Sequence, residues 1–194
     1  TLSIIVMTLY KVKPKYKHLV QKKSLCGPTC ILMVLFRQGK WIDQEKLAFE
    51  LGIIIHEKNK HIYNQPFKTI KTPSDKIGIK LTAFKNKKIT NSLRKYQIFP
   101  KVHLISQINN VSEFLKENIN RNIDIIANFW EKPLKNRDIG HYAIISEYDD
   151  TKKIVTILDP DFESTTHWKC HIDQLTESMS SKWTGTERGF LLIK

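Results

Sequence analysis

Gln21-Lys-Lys-Ser-Leu-Cys26-Gly-Pro-Thr-Cys30-Ile-Leu-Met-Val-Leu35 is the stretch that decides how this protein is read. A short polar approach runs into a cysteine, then Gly-Pro, then an unbroken apolar run. The run predicts a buried helix that starts at Cys26 and ends near Gln38-Gly39. Gly27 permits an unusual backbone at the entry, and Pro28 is tolerated in a first turn because its missing N–H would have no intrahelical partner there. A thiol at a helix N-terminus sees partial positive charge from unpaired N–H groups, which favours thiolate, the nucleophilic form. Cys26 is therefore a candidate catalytic nucleophile, and the rest of the molecule must supply a base. Cys30, one turn further on, reads as a small packed helical residue, since the usual zinc spacing is absent.

Composition narrows the classes of protein to consider. With 194 residues, 41% hydrophobic and 10% aromatic, the sequence suits one globular core. No apolar stretch approaches the roughly 18 residues needed to span a bilayer, and Leu2 to Met7 is too short for a signal-peptide core. Three cysteines without framework spacing favour a reducing compartment, so a cytoplasmic location is expected. The net charge of +13 is compatible with an acidic partner. The lysines are scattered from Lys11 to Lys194, however, as a Lys-, Ile- and Asn-rich composition would produce. No basic-aromatic motif is present, so nucleic acid is not an expected partner. No cofactor or metal is expected either.

Outward from the opening stretch, residues 1–18 read as an N-terminal arm or strand and 19–194 as one domain. Asp43 is placed to cap a second helix ending at Leu51-Gly52. Residues 53–76 hold a short apolar run, Ile53 to Ile55, then a polar loop. Thr90 to Tyr96 and Asn110 to Asn120 read as helices, Lys101 to Ile105 and Ile123 to Phe129 as strands, and Lys132 to Asp138 as a polar loop. Tyr142 to Ser146 and Lys153 to Leu158 make a β-hairpin about Asp149-Asp150-Thr151-Lys152. His171 to Met179 is a short helix and Gly189 to Ile193 a closing strand. Helices early and antiparallel strands late predict an α+β fold.

Hairpin register then brings two polar residues together. A turn centred near Asp150 sets His141 opposite Asp159 at the open end, with both side chains on one face. A carboxylate beside an imidazole fixes its tautomer and stabilises its protonated form. With a cysteine in reach, this is a nucleophile, base and orienter for acyl transfer. Trp130, Trp168 and Trp183 are candidate groove or core residues, and His56 and His61 read as solvated.

Gln21…Cys26-Gly27-Pro28-Thr29-Cys30, Gly140-His141-Tyr142 and Asp159-Pro160 together resemble the papain-like cysteine peptidases. The resemblance is closest to the bacteriocin-processing, double-glycine group and its stand-alone relatives. It implies a papain-like fold, with N-terminal helices packed on a C-terminal antiparallel sheet. It also implies Cys26 as nucleophile, His141 as general base and then acid, Asp159 as orienter, and Gln21 with the cysteine N–H as oxyanion hole. Gln21 stands five residues before Cys26, where the family commonly has six. The membrane and ATPase regions of transporter-linked members are absent from this sequence, so leader-peptide export is not implied. The expected activity is hydrolysis of a peptide or isopeptide bond in a peptide or protein substrate. An amide-group acyltransferase or deamidase, and a catalytically silent papain-like binding module, are the rival readings.

Overall fold

The structure is a computed structural model that describes residues 9–71 and 77–194. Leu2 to Met7 lies outside the described residues. The apolar run forms α1 (Cys26–Arg37), in which every residue from 27 to 35 is buried. A helix that is apolar all round has to be covered all round. Its cover comes from sheet residues Ile126, Tyr142, Ile144, Leu191 and Ile193, and from Leu47, Ala48, Ile53, Ile55, Tyr63, Phe67, Leu81 and Phe84. Leu47 and Ala48 belong to α2 (Gln44–Glu50), which Asp43 caps by accepting from Lys46 N at 2.9 Å. Gly52 leaves that helix at φ +71°, a conformation that only glycine adopts without strain.

Nine strands form among the described residues: β1 (Leu9–Lys11), β2 (Ile54–His56), β3 (Lys68–Ile70), β4 (Pro100–Leu104), β5 (Asp124–Trp130), β6 (Gly140–Asp149), β7 (Ile154–Leu158), β8 (His167–His171) and β9 (Gly189–Ile193). β2 and β3 pair with each other in parallel. The other seven make one antiparallel sheet in the order β4-β9-β5-β6-β7-β8, with β1 also on β6. The α1 side of this sheet is one core. Beyond its opposite face lies a second, in which Ile125, Ala127, Phe129, Ala143, Ile145, Phe190 and Leu192 meet Leu115, Ile119, Leu175 and Met179. The last four come from the helices over Val111–Asn120 and Ile172–Ser178 or their ends. Cover on both faces explains why β5 is apolar without alternation.

The predicted α+β fold stands, with helices also on the far face of the sheet, and several local readings change. Lys68–Ile70 pairs as a strand inside a stretch read as loop. Lys132–Lys135 makes one helical turn, closed by Asn136 in a left-handed conformation, where a loop was expected. His167–His171 is an additional strand, since only Trp168 and Cys170 alternate there as a half-buried strand requires. Gly189–Ile193 is the last strand in sequence but lies inside the sheet, between β4 and β5. The hairpin register is also corrected. Asp149 faces Ile154, so the turn spans residues 150–153, and a bulge at Ser146 leaves Ile144 facing Leu158. Continuing that register sets Asp159 across from Ala143, diagonal to His141. Residues 141 and 143 share a face, so the predicted common face survives the shift.

One buried ion pair seats α1 along the sheet. Arg37, in the last turn, donates from Nε (2.8 Å) and Nη2 (2.9 Å) to the two oxygens of Asp124, the first residue of β5. Tyr16 Oη donates to the same carboxylate at 2.5 Å, and Arg37 Nη1 to Lys13 O at 2.7 Å. Both charges are nearly inaccessible, so each depends on the other. At the opposite end of the sheet's interior, β4 and β9 approach closely at Gly189. An added Cβ there would stand 2.1 Å from His103 O. Gly189→Ala should therefore destabilise the protein by more than ~2 kcal/mol, the range of overpacked sites whose neighbour is backbone. Urea unfolding with an unchanged m-value is the check.

Candidate active site

Cys26 opens α1 where the sheet's open end meets the polar approach segment. The first turn of α1 carries no acidic residue, and its N-cap position, Leu25, offers no side-chain acceptor. The partial positive charge of that terminus is thus left uncompensated by the protein. The approach segment is tied down on both sides. Gln21 N donates to Pro160 O (2.8 Å), Lys22 N to Gln44 Oε1 (2.7 Å), and Gln44 Nε2 to Val20 O (3.1 Å). The Lys22 ammonium pairs with buried Glu45, which also accepts from Asn64 N at 2.7 Å. His18 Nε2 lies 2.8 Å from Asp159 O. The segment before Cys26 is therefore bonded directly to the segment after β7.

His141 is buried at the start of β6, edge-on to Phe129 with ring centroids 5.7 Å apart. Its Nε2 is 2.7 Å from Asp159 Oδ1. Burial acts to lower its pKa, but hydrogen bonds to Asp159 and Cys26, with the charges of both, outweigh that and raise it to about 10. The imidazolium is thus the favoured form at neutral pH. By strand alternation His141 lies on the face of Ala143 and Ile145, opposite the face that α1 covers. It meets Cys26 beyond the end of β7 at Leu158.

Asp159 has all four of its lone-pair positions filled. Oδ1 accepts from His141 and from Asp161 N (3.0 Å), and Oδ2 from Lys135 Nζ (2.6 Å) and Trp168 Nε1 (2.7 Å). Burial alone would raise the Asp159 pKa. The His141 contact, Lys135 and the Asp161 N–H hold it far below the usual carboxylate range. Lys135 sits 4.4 Å from the Trp168 ring centroid and donates to Ser164 Oγ at 2.5 Å. Arg137 joins buried Glu131 (Nε–Oε2 2.7 Å) to Asp161 (Nη2–Oδ2 2.6 Å). Glu131, His141 and Asp159 place ligand atoms within 4.8 Å of one another. Lys135 and Arg137 already neutralise those carboxylates, so the chemistry of the cluster is that of an ion-pair network rather than a cation cage.

The structure sets His141 against both Asp159 and Cys26, and it ties the Gln21 backbone to Pro160, next to Asp159. The Gln21 side-chain amide makes no hydrogen bond within the described residues, and its Oε1 is shut off from solvent. Cys30 and Cys170 are buried, which pushes Cys30 well up and Cys170 to about 12. Cys26 is the only partly exposed cysteine. Sequence reasoning missed Lys135, Glu131 and Asn128, and it offered Trp168 as a groove or core residue without its bond to Asp159. Asn128 donates from Nδ2 to His141 O at 3.1 Å. Its place two residues before Trp130 on an apolar strand was the one available signal, a polar side chain where burial was expected. Trp183 is half-buried, its Nε1 donating to Glu177 O.

This arrangement sits on the fold of the papain-like C39 peptidases. A candidate C39-like peptidase from Bacillus anthracis superposes with a TM-score of 0.62 at 15% identity, over 95% of this protein and 97% of that one. The peptidase domain of Streptococcus ComA, a bi-functional ABC transporter involved in quorum sensing, gives 0.51 at 14% identity, over 92% and 96%. No curated protein matches. Residues 13–189 match the Peptidase_C39 like family, and the protein belongs to that family. No helix among the described residues is long and apolar enough to cross a membrane.

Acid should expose the role of Asp159 in stability. Its folded pKa is depressed, so below about pH 3.9 the unfolded state takes up a proton that the folded one refuses. Unfolding free energy should fall with pH there, at up to ~1.4 kcal/mol per pH unit for one proton. In Asp159→Asn that part of the acid slope should disappear, which denaturant titrations from pH 5 to pH 2.5 would show.

Proposed function

We propose that the protein is a cysteine peptidase in which Cys26, His141 and Asp159 act as a triad and Gln21 assists at the oxyanion hole. The buried His141–Asp159 bond of 2.7 Å, on an imidazole that also contacts the only partly exposed cysteine, carries this reading. Family membership supports peptidase chemistry in general.

The geometry supports the following steps. Nε2 of His141 is held by Asp159, which leaves Nδ1 for Cys26. The Cys26 thiolate adds to the amide carbonyl, and the oxyanion takes N–H donors from Cys26 itself and from Gln21 Nε2. As the C–N bond breaks, the proton on His141 passes to the departing amine, leaving a thioester and a neutral imidazole. That imidazole accepts a proton from the attacking water. Collapse then releases the acid, the thiolate and the imidazolium. Asp159 stays ionised throughout and keeps the ring oriented. The four bonds on its carboxylate favour that role, because a fully engaged carboxylate has no free position from which to draw the ring elsewhere.

Cys26→Ala should lower kcat/KM by at least ~10⁴-fold while leaving the unfolding midpoint near its original value. Gln21→Ala should cost ~10²–10³-fold in kcat with little change in KM, the signature of a donor used mainly in the transition state. Mass spectrometry of products with and without an added amine separates hydrolysis from acyl transfer. Full turnover by Cys26→Ala on any substrate would sink the assignment.

A further inference from the structure

Arg188 stands one residue before β9 with its backbone held at both ends. Its N–H donates to Met179 O (2.9 Å), and its carbonyl accepts from Ile105 N (2.9 Å). From that fixed origin the guanidinium crosses the ends of β5 and β6. Nη1 donates to Asn128 Oδ1 at 3.2 Å, and Cζ lies 5.0 Å from the Trp130 ring centroid. Both Nη atoms would come within 2.9 Å of a Cβ at position 140, so Gly140, the residue before His141, is what lets the guanidinium lie there.

The other two arginines built into the fold are answered by carboxylates: Arg37 by Asp124, and Arg137 by Glu131 and Asp161. Arg188 is not, among the described residues. Its Nε is shut off from solvent and has no acceptor there. The anion-forming groups that act on it are Tyr142 and Cys26, with no carboxylate among them. A partly desolvated guanidinium without a counter-ion is costly unless something else supplies one. Its planar fork suits a carboxylate, which it can bind through two parallel hydrogen bonds. The net charge of +13 also favours the approach of an acidic molecule.

We propose that Arg188 is a substrate-anion site, which seats a carboxylate carried next to the scissile amide while that amide lies against Cys26. The inference rests on Cys26 being the nucleophile. It assigns the substrate class as peptides with a carboxylate beside the cleaved bond, supplied either by an acidic side group or by the free terminal carboxylate of the peptide.

Two alkylating probes of nearly equal size test it: neutral iodoacetamide and anionic iodoacetate. Each transfers its methylene carbon to the Cys26 sulfur with loss of iodide, and labelling is followed by mass. In the unaltered protein, iodoacetate labelling should saturate with concentration while iodoacetamide labelling rises linearly. Arg188→Gln should lower the iodoacetate-to-iodoacetamide rate ratio about tenfold, the scale of one charge-assisted hydrogen bond. Arg188→Lys, which keeps the charge but not the fork, should lower it less. An unchanged ratio in Arg188→Gln, with both rates falling together, overturns the proposal and makes Arg188 a partner of the thiolate. Linear iodoacetate labelling in the unaltered protein overturns it without any variant. If neither probe labels Cys26, the nucleophile reading itself fails and takes this proposal with it, a result distinct from the other two. Acetylated peptide pairs then separate the sources. Protection of Cys26 by a free terminal carboxylate but not its amide assigns the peptide end, and protection by Glu but not Gln assigns an acidic side group. Protection by neither member of either pair overturns the proposal.

Discussion

A helix with no polar face has no choice of position, and that constraint organises the molecule. Residues 27 to 35 of α1 are all buried, so protein must lie against the helix on every side. The sheet supplies part of that cover, while α2 and the segments around Ile53, Phe67 and Phe84 supply the rest. The ion pair of Arg37 with Asp124 then sets how far along the sheet the helix lies. With its C-terminal turn tied to the start of β5, the N-terminal turn is carried to the other end of the sheet, and Cys26 with it. The Cys26 thiol is placed by packing, and its own bonds contribute little to where it stands.

The second organising element is a set of charges behind His141, buried carboxylates and imidazole with half-buried Lys135 and Arg137. Glu131, Asp159 and Asp161 face Lys135, Arg137 and the imidazolium of His141, three charges of each sign. Such a set stabilises only when each member is matched, since removing one leaves a desolvated charge behind. Its consequence for chemistry is directional. Trp168 and Lys135 hold Asp159 from the side away from His141, so the carboxylate cannot turn and the ring cannot follow. Arg188 is the exception to this matching. Among the described residues it is the one internal guanidinium without an acid, and it lies at the strand end that also carries His141.

Much of this was legible in the residues. The helix from Cys26, the Asp43 cap, the Asn110 to Asn120 periodicity and the hairpin all rest on contacts a few positions apart, which local pattern encodes. Register was legible only in part. The alternation of side chains put His141 and Asp159 on a common face, but the bulge at Ser146 has no local signature and moved their pairing by two positions. The strand over His167–His171 was missed because its apolar positions are only Trp168 and Cys170.

Taken alone, then, the sequence determined the buried helix, the thiol at its head, the α+β order of elements and the residue types of a candidate Cys-His-Asp site. Each of these follows from short-range periodicity, capping or motif spacing. Tertiary structure decided which acid meets which base. Lys135 and Trp168 on Asp159, Arg137 between Glu131 and Asp161, and Arg188 over Trp130 join residues from different elements. It also decided that β9, the last strand in sequence, lies inside the sheet between β4 and β5. Such pairings are set by how whole elements pack to bury two apolar faces, and no spacing along the sequence records that outcome.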